Sequence, residues 1–322
     1  MDLKAKILSP SHPVTFYELI PPRAEAGQEF EDLLTLCREL AGAVDAINIP
    51  EIYEESRGQL GRKPMPDRIE PRIFAKAIQA ATGLESIVNR VTVQQPAIRQ
   101  REWLRETYTE YGIRNLILVG GESRQIEYPG LGVVEAAKLT RQEGLDFLLG
   151  GITIPSRSRE GERVRQKYAQ GISFFTTQVL LDSNDIVNLI QGLNGLDVRI
   201  FLSFAPISNL RDLEFLKWLG ADVPNNVVWA VEQAGDPART VEKSLAQASA
   251  ILTDIFDNLP AHPPALGINI EQITRRNFLA ARQLLAQLGP FYRRHLQTRY
   301  PGAVGTCEPA SLFGSDTATS PK

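Results

Sequence analysis

Apolar positions along the chain follow two alternating rhythms. Short runs rich in β-branched and aromatic residues occur at "VTFYEL" (14–19), "VDAINI" (44–49), "SIVNRVTV" (86–93), "NLILVG" (115–120), "FLLGGITI" (147–154), "SFFTTQVLL" (173–181), "VRIFLSFA" (198–205) and "ALGINI" (265–270). Each reads as a buried strand. Between them lie longer runs in which apolar residues recur every third or fourth position. "EFEDLLTLCRELAG" (29–42) is the clearest, with Phe30, Leu33, Leu34, Cys37 and Leu40 on one helical face. Similar runs cover 97–112, 131–144, 163–171, 183–195 and 210–220, and glycine closes them promptly, as a helix C-terminal cap does.

Eight strand-then-helix units predict an eight-stranded parallel β/α (TIM) barrel over 1–300. An open doubly wound sheet is the alternative, but the first strand–helix join reads "ELIPPRAEAG" and carries no glycine fingerprint. The segment 236–260 predicts an extra helix before strand eight. The Pro-, Gly- and Ser-rich stretch 301–322 predicts a disordered tail.

Composition narrows the function classes. The 322 residues are 43% hydrophobic and 23% charged, with a net charge of −3, and the isoelectric point near 5.8 gives no footprint for nucleic acid. The two cysteines, Cys37 and Cys307, and the three histidines, His12, His262 and His295, lack metal-ligand spacing. No apolar run reaches the length of about 18 residues that a membrane span needs, and "MDLKAKILSPSHP" has no secretory pattern. A cytoplasmic protein is the expectation; a homo-oligomer stays open.

In a barrel, chemistry collects at the carboxyl ends of the strands. Those ends offer Glu18; Asn48 with Glu51, Glu54, Glu55 and Arg57; Asn89 and Arg90; Gly120-Gly121-Glu122; Thr153; Thr176, Thr177 and Gln178; Ser208-Asn209; and Asn269 with Glu271. This rim of carboxylates and amides has no metal triad and no activated nucleophile. It suits a neutral, hydrogen-bonding heterocycle and proton transfer better than hydrolysis. The three loop glutamates and the basic "SRSREGERVR" are ordinary solvated surface in most chains. Glu18 is different: a carboxylate inside "TFYELIPPR" is costly to bury without a purpose or a partner. The Gln178 amide within "FFTTQVLL" likewise requires partners.

With these residues in view, the chain resembles the methylenetetrahydrofolate reductase family over roughly residues 14 to 290. "FYELIPPR" is similar to that family's first strand, "YGIRNLILVGGE" to its fourth, "KYAQGISFFTTQVLLD" to its sixth, and "APISN" to the segment after its seventh. The resemblance implies reduction of 5,10-methylenetetrahydrofolate to 5-methyltetrahydrofolate by NAD(P)H, with FAD as the cofactor. Acid-assisted ring opening gives a 5-iminium cation that accepts hydride. By the same resemblance, Glu18 and Glu122 are catalytic, and Gln178, Asn209 and Asp212 meet the folate. Asn48, Arg90, Gly120, Gly121, Arg163 and Lys167 meet the cofactor.

Several positions depart from the family pattern. The strand-four Arg-Gly-Asp reads Gly120-Gly121-Glu122, the loop after strand five lacks its Tyr and His, and the Asn and Arg of the next helix read Arg163 and Gln166. Most of these positions belong to the flavin site. Two further expectations therefore stand beside the first: direct hydride transfer from NAD(P)H without flavin, with Arg157, Arg159 and Arg163 receiving the dinucleotide phosphates, or a non-catalytic, regulatory pterin-binding barrel. A pterin-dependent methyltransferase is a further alternative.

Overall fold

Eight short strands, each buried on both faces, close on themselves in a computed structural model that describes residues 1–53, 67–121 and 126–301. They are β1 (Thr15–Glu18), β2 (Ala46–Ile49), β3 (Glu85–Val91), β4 (Asn115–Val119), β5 (Leu148–Thr153), β6 (Ile172–Thr177), β7 (Arg199–Phe204) and β8 (Ala265–Glu271). All neighbouring pairs are parallel, and β1 pairs with both β2 and β8. This is the TIM barrel the apolar rhythm predicts. Glu54, Glu55, Arg57, Glu122, Cys307 and the expected tail from 302 onward lie outside the described residues.

Helices α1 (Leu3–Leu8), α2 (Gly27–Leu40), α3 (Pro71–Thr82), α4 (Ala97–Thr109), α5 (Val133–Gln142), α6 (Glu160–Tyr168), α7 (Asn184–Gly192), α8 (Leu210–Trp218), α9 (Asn225–Glu232), α10 (Pro237–Asp257) and α11 (Phe278–Arg299) complete the order. The apolar pattern left α1, α3, α9 and α11 unread. The α3 helix is recognisable afterwards from Pro71 in its first turn and from Gly83, whose φ of 72° closes it.

A helix stands where the expectation put one, at Pro237–Asp257 before β8, and two more, α8 and α9, precede it. Segment 237–257 is the helix that packs on the barrel wall, where Leu252 and Ile255 join the main core. The added helices are α8 and α9. Their Leu213, Leu216 and Val227 pack with Val179, Ile207 and Ile273, which follow β6, β7 and β8. The pair therefore forms a cap on the carboxyl-terminal side of the barrel.

The barrel lumen is filled from below. Phe16, Phe174 and Phe201, from β1, β6 and β7, touch one another across it. The first and last stack at 3.7 Å between ring centroids. These rings require glycine opposite them, since a Cβ on Gly267 would lie 2.4 Å from the Phe201 ring and one on Gly150 would lie 2.4 Å from the Phe174 ring. Helix α1 plugs the amino-terminal end with Leu3 and Ile7. Arg199, 1% exposed, holds it there by donating to the carbonyls of Ile7 at 2.9 Å and of Ser9. Gly267→Ala is expected to cost about 1–3 kcal/mol through overpacking, read as a lower urea midpoint. An unchanged midpoint would contradict this lumen packing.

Candidate active site

Side chains two residues apart on a strand share a face, so the lumen aromatics identify what stands above them. On β1, Phe16 leads to Glu18; on β6, Phe174 leads to Thr176; on β7, Phe201 leads to Ser203. On β8, Gly267 leads to Asn269 and then Glu271. Ala46 leads to Asn48 on β2 and Ile87 to Asn89 on β3, while β4 and β5 contribute Val119 and Ile152. The carboxyl-terminal mouth thus has a polar arc from β6 round to β3 and an apolar side on β4 and β5.

Glu18 lies at the middle of the arc, in register with Asn48 on one side and Glu271 on the other. Asn48 Nδ2 donates to Glu18 Oε2 at 2.7 Å. Asn269 Nδ2 faces three acceptors: Glu18 Oε2 at 3.4 Å, Glu271 Oε1 at 3.3 Å and Ser203 Oγ at 3.1 Å. Asn48, Ser203 and Asn269 are fully buried. Both glutamates keep partial exposure at the mouth. Among the described residues, the side-chain carbonyl oxygens of Asn48, Asn89 and Asn269 are buried and accept no hydrogen bond. Buried polar groups are mostly paired in folded chains, and the three at the mouth share their unpaired state with Arg68 Nε, Ser86 Oγ and Gln100 Nε2 elsewhere in the fold.

Burial pushes the Glu18 carboxyl up to about 7, although hydrogen bonds from Asn269 and Asn48 pull the other way. Burial, followed by the charge of Glu18, holds Glu271 well above the ordinary carboxylate range, with Ser203 and Asn269 opposing. Glu18 is therefore an acid that keeps a proton near neutral pH. The same shift has a consequence for stability. The folded chain binds this proton more tightly than the unfolded one, so the contribution favours folding below the ordinary value of 4.5 and is lost as pH rises towards about 7. Glu18→Gln is expected to be more stable than the wild type at pH 8, with the gap closing towards pH 4.5. Urea midpoints at the two pH values check this, and a gap that widens on acidification would contradict it.

No family model matches the chain, and no curated protein matches it. Among solved structures it is similar to an uncharacterized protein from Clostridium thermocellum that binds two copies of 5-methyl-5,6,7,8-tetrahydrofolic acid. The two share 19% identity at a TM-score of 0.69, covering 89% of this chain and 99% of that one. It is also similar to tryptophan synthase from M. tuberculosis, with 12% identity and a TM-score of 0.51, covering 90% of this chain and 96% of that one. These likenesses establish the fold.

The structure places the other sequence-predicted residues as follows. Gln178 Nε2 donates to the Leu219 carbonyl at 2.8 Å, so this amide ties β6 to the cap. Asn209 Oδ1 accepts from the Asp212 N–H at 3.2 Å, capping α8. The buried Asp212 carboxylate in turn accepts from the Ser208 N–H and hydroxyl at 2.8 and 2.6 Å. Both therefore fix the cap's entry. Glu122 lies outside the described residues.

The residues assigned to a flavin are engaged elsewhere. Arg90 turns away from the lumen, donating to Glu51 Oε1 at 2.7 Å and Gln100 Oε1 at 3.0 Å, with its guanidinium over the Trp103 ring. Lys167 donates to the Ile152 carbonyl at 2.6 Å, and burial lowers its pKa. Arg163 donates to the Ser158 carbonyl and pairs with Glu160. Gly120 packs against Val133, and a Cβ on Gly121 would lie 2.4 Å from the Tyr128 ring. Asn48 serves Glu18. Each of these described groups thus has a partner or neighbour within the fold. Among the described residues there is no cluster that could hold a metal ion and no helix long and apolar enough to cross a membrane.

Sequence reading put Asn89, Asn269 and Glu271 on the rim without a role and did not single out Ser203. The signal was the alternation in "GINIE", which sends Asn269 and Glu271 to the same face as Gly267.

Proposed function

We propose that the polar arc binds a tetrahydropterin and that Glu18 protonates it, so that NAD(P)H reduces 5,10-methylenetetrahydrofolate to 5-methyltetrahydrofolate without a flavin. The observation that carries this reading is the Glu18 carboxyl inside the carboxyl-terminal mouth, met by the Asn48 and Asn269 amides and flanked by buried amide oxygens that accept no hydrogen bond, with burial raising its pKa to about 7. A reduced pterin offers ring N–H and amino donors along one edge, which match the unpaired oxygens of Asn48, Asn89 and Asn269. The apolar side at Val119 and Ile152 suits the face of the ring. The Clostridium thermocellum protein, which binds 5-methyl-5,6,7,8-tetrahydrofolic acid on a similar barrel, supports the ligand class.

The chemistry follows from the acid. Glu18 gives its proton to N10 as the bond from N10 to the methylene carbon breaks, and the bonding electrons stay on N10. The methylene becomes a 5-iminium cation beside the newly formed Glu18 carboxylate, a favourable pairing in a water-poor site. Hydride from the nicotinamide then adds to the methylene carbon, giving the 5-methyl group and NAD(P)⁺. One proton and one hydride are consumed, and no metal is required. The engagement of Arg90, Lys167 and Arg163 with partners inside the fold favours direct transfer over a flavin relay.

The experiment is NAD(P)H oxidation with methylenetetrahydrofolate, run with and without added FAD. Turnover that FAD does not change is expected. Turnover only with FAD would restore the flavin route. No oxidation of either nicotinamide under both conditions, with 5-methyltetrahydrofolate still bound, would reduce the barrel to a folate-binding protein.

A further inference from the structure

Two carboxylic acids at one mouth are more than the proposed reaction needs from Glu18 alone. Glu18 and Glu271 are register partners on adjacent parallel strands, β1 and β8. A single amide nitrogen, Asn269 Nδ2, lies within reach of both. Among the described residues, the ionisable group in register with each is the other, and the charge of Glu18 acts on Glu271. The remaining groups acting on them are amides and a hydroxyl: Asn48 from β2, Ser203 from β7 and Asn269 from β8. The Gln272 backbone N–H reaches the Glu18 carbonyl, and the Gln272 side chain is held by the Tyr17 hydroxyl on the other face of β1. Two buried, unpartnered amide oxygens, on Asn48 and Asn269, flank the pair. This is an arrangement for holding protons next to a ligand. It is not a salt-bridge network.

We propose that Glu18 and Glu271 form a proton-sharing pair in which Glu18 delivers the proton to the bound pterin and Glu271 keeps a second proton at the mouth. Glu271 acts through Glu18 and is a positioning residue. The proposal rests on the folate-reducing reading for its substrate, but the pair itself does not. Two like charges sharing one amide nitrogen at a mostly buried mouth cannot both form at modest cost. The pair therefore retains one proton in a pH range where a lone glutamate would have ionised, and its titration belongs to the pair rather than to either member. When Glu18 has given its proton to N10, the neutral Glu271 carboxyl donates a hydrogen bond to the new carboxylate or passes its proton across. Solvent then restores the second proton through the mouth.

The test uses Glu271→Gln, which preserves shape and removes the second ionisation, with Glu271→Asp as the conservative variant. In the pH profile of folate-dependent NAD(P)H oxidation, the alkaline fall of Glu271→Gln is expected at least one pH unit below that of the wild type. That corresponds to a rate roughly tenfold lower on the alkaline side, with KM for folate unchanged, and Glu271→Asp moves the profile back towards the wild type. Independently of turnover, the infrared band of a protonated carboxyl is followed from pH 5 to 9, with Glu18→Gln as the reference for assignment. The band is expected to persist to higher pH in the wild type than in Glu271→Gln. Coincident titrations of wild type and Glu271→Gln, by rate or by infrared, overturn the pair. A shifted infrared titration without any folate turnover upholds the pair and overturns the folate reading instead.

Discussion

Glu18→Gln is expected to lower folate-dependent NAD(P)H oxidation by about 10²–10⁴-fold, the usual contribution of a general acid. The amide keeps the size of the protonated side chain and can still meet Asn48 and Asn269, so the fold is retained and the pterin still binds. On the proposed mechanism, what is lost is the proton for N10. Without it the five-membered ring does not open, and no iminium forms to accept hydride. The loss should therefore fall on kcat, with KM for the folate nearly unchanged. Far-ultraviolet circular dichroism and binding of 5-methyltetrahydrofolate check that the variant is folded and competent to bind. Near-normal turnover in a folded Glu18→Gln protein would remove Glu18 from the chemistry.

Glu51→Ala is expected to cost about 3–5 kcal/mol of stability, because it leaves a buried cation uncompensated. Arg90 is 5% exposed and has Glu51 as its charged partner. The second Glu51 oxygen accepts from the Val91 N–H at 2.6 Å, so the same carboxylate also closes the end of β3. Burial raises the pKa of Glu51 while Arg90, first among its hydrogen-bonding and charged neighbours, lowers it. The pair thus works as one neutralised unit between the loop after β2 and the face of β3 that meets α4. Urea denaturation followed by tryptophan fluorescence measures the loss. An unchanged midpoint would mean that Arg90 is free to serve a ligand, as the sequence resemblance implies.

The contrast between Glu18 and Arg90 shows what the sequence made legible. Glu18 stood out because a carboxylate among Phe16, Tyr17, Leu19 and Ile20 conflicts with its surroundings, and a closed barrel turns every second residue inward. Eight strand-then-helix units predict the barrel, and in the closed barrel strand parity puts Glu18 on the same inward face as Phe16. Arg90 follows Asn89 by one residue, and that single step sends it to the opposite face, towards Gln100 and Trp103. Matching motifs along a chain cannot distinguish these two faces, but strand parity can. The cap was harder to read. Segments 210–218 and 237–257 are both amphipathic. Which of them covers the wall and which covers the mouth depends on contacts with residues after β6, β7 and β8, far away in sequence. Gln178 illustrates the same limit: its amide nitrogen is occupied by Leu219, a residue of that cap. The Asn48–Glu18–Asn269 arc depends on register between β2, β1 and β8, and register is fixed only once the barrel closes.

Glu18, proposed as a protonated acid aimed at a bound tetrahydropterin, can be observed directly. Carbon-13 NMR of glutamate labelled at the side-chain carboxyl, assigned with Glu18→Gln and titrated with and without saturating 5-methyltetrahydrofolate, tests that role. A Glu18 resonance that first titrates near 7 in the free protein and shifts when the folate binds is expected. A Glu18 resonance that titrates in the ordinary carboxylate range and ignores the folate would contradict it.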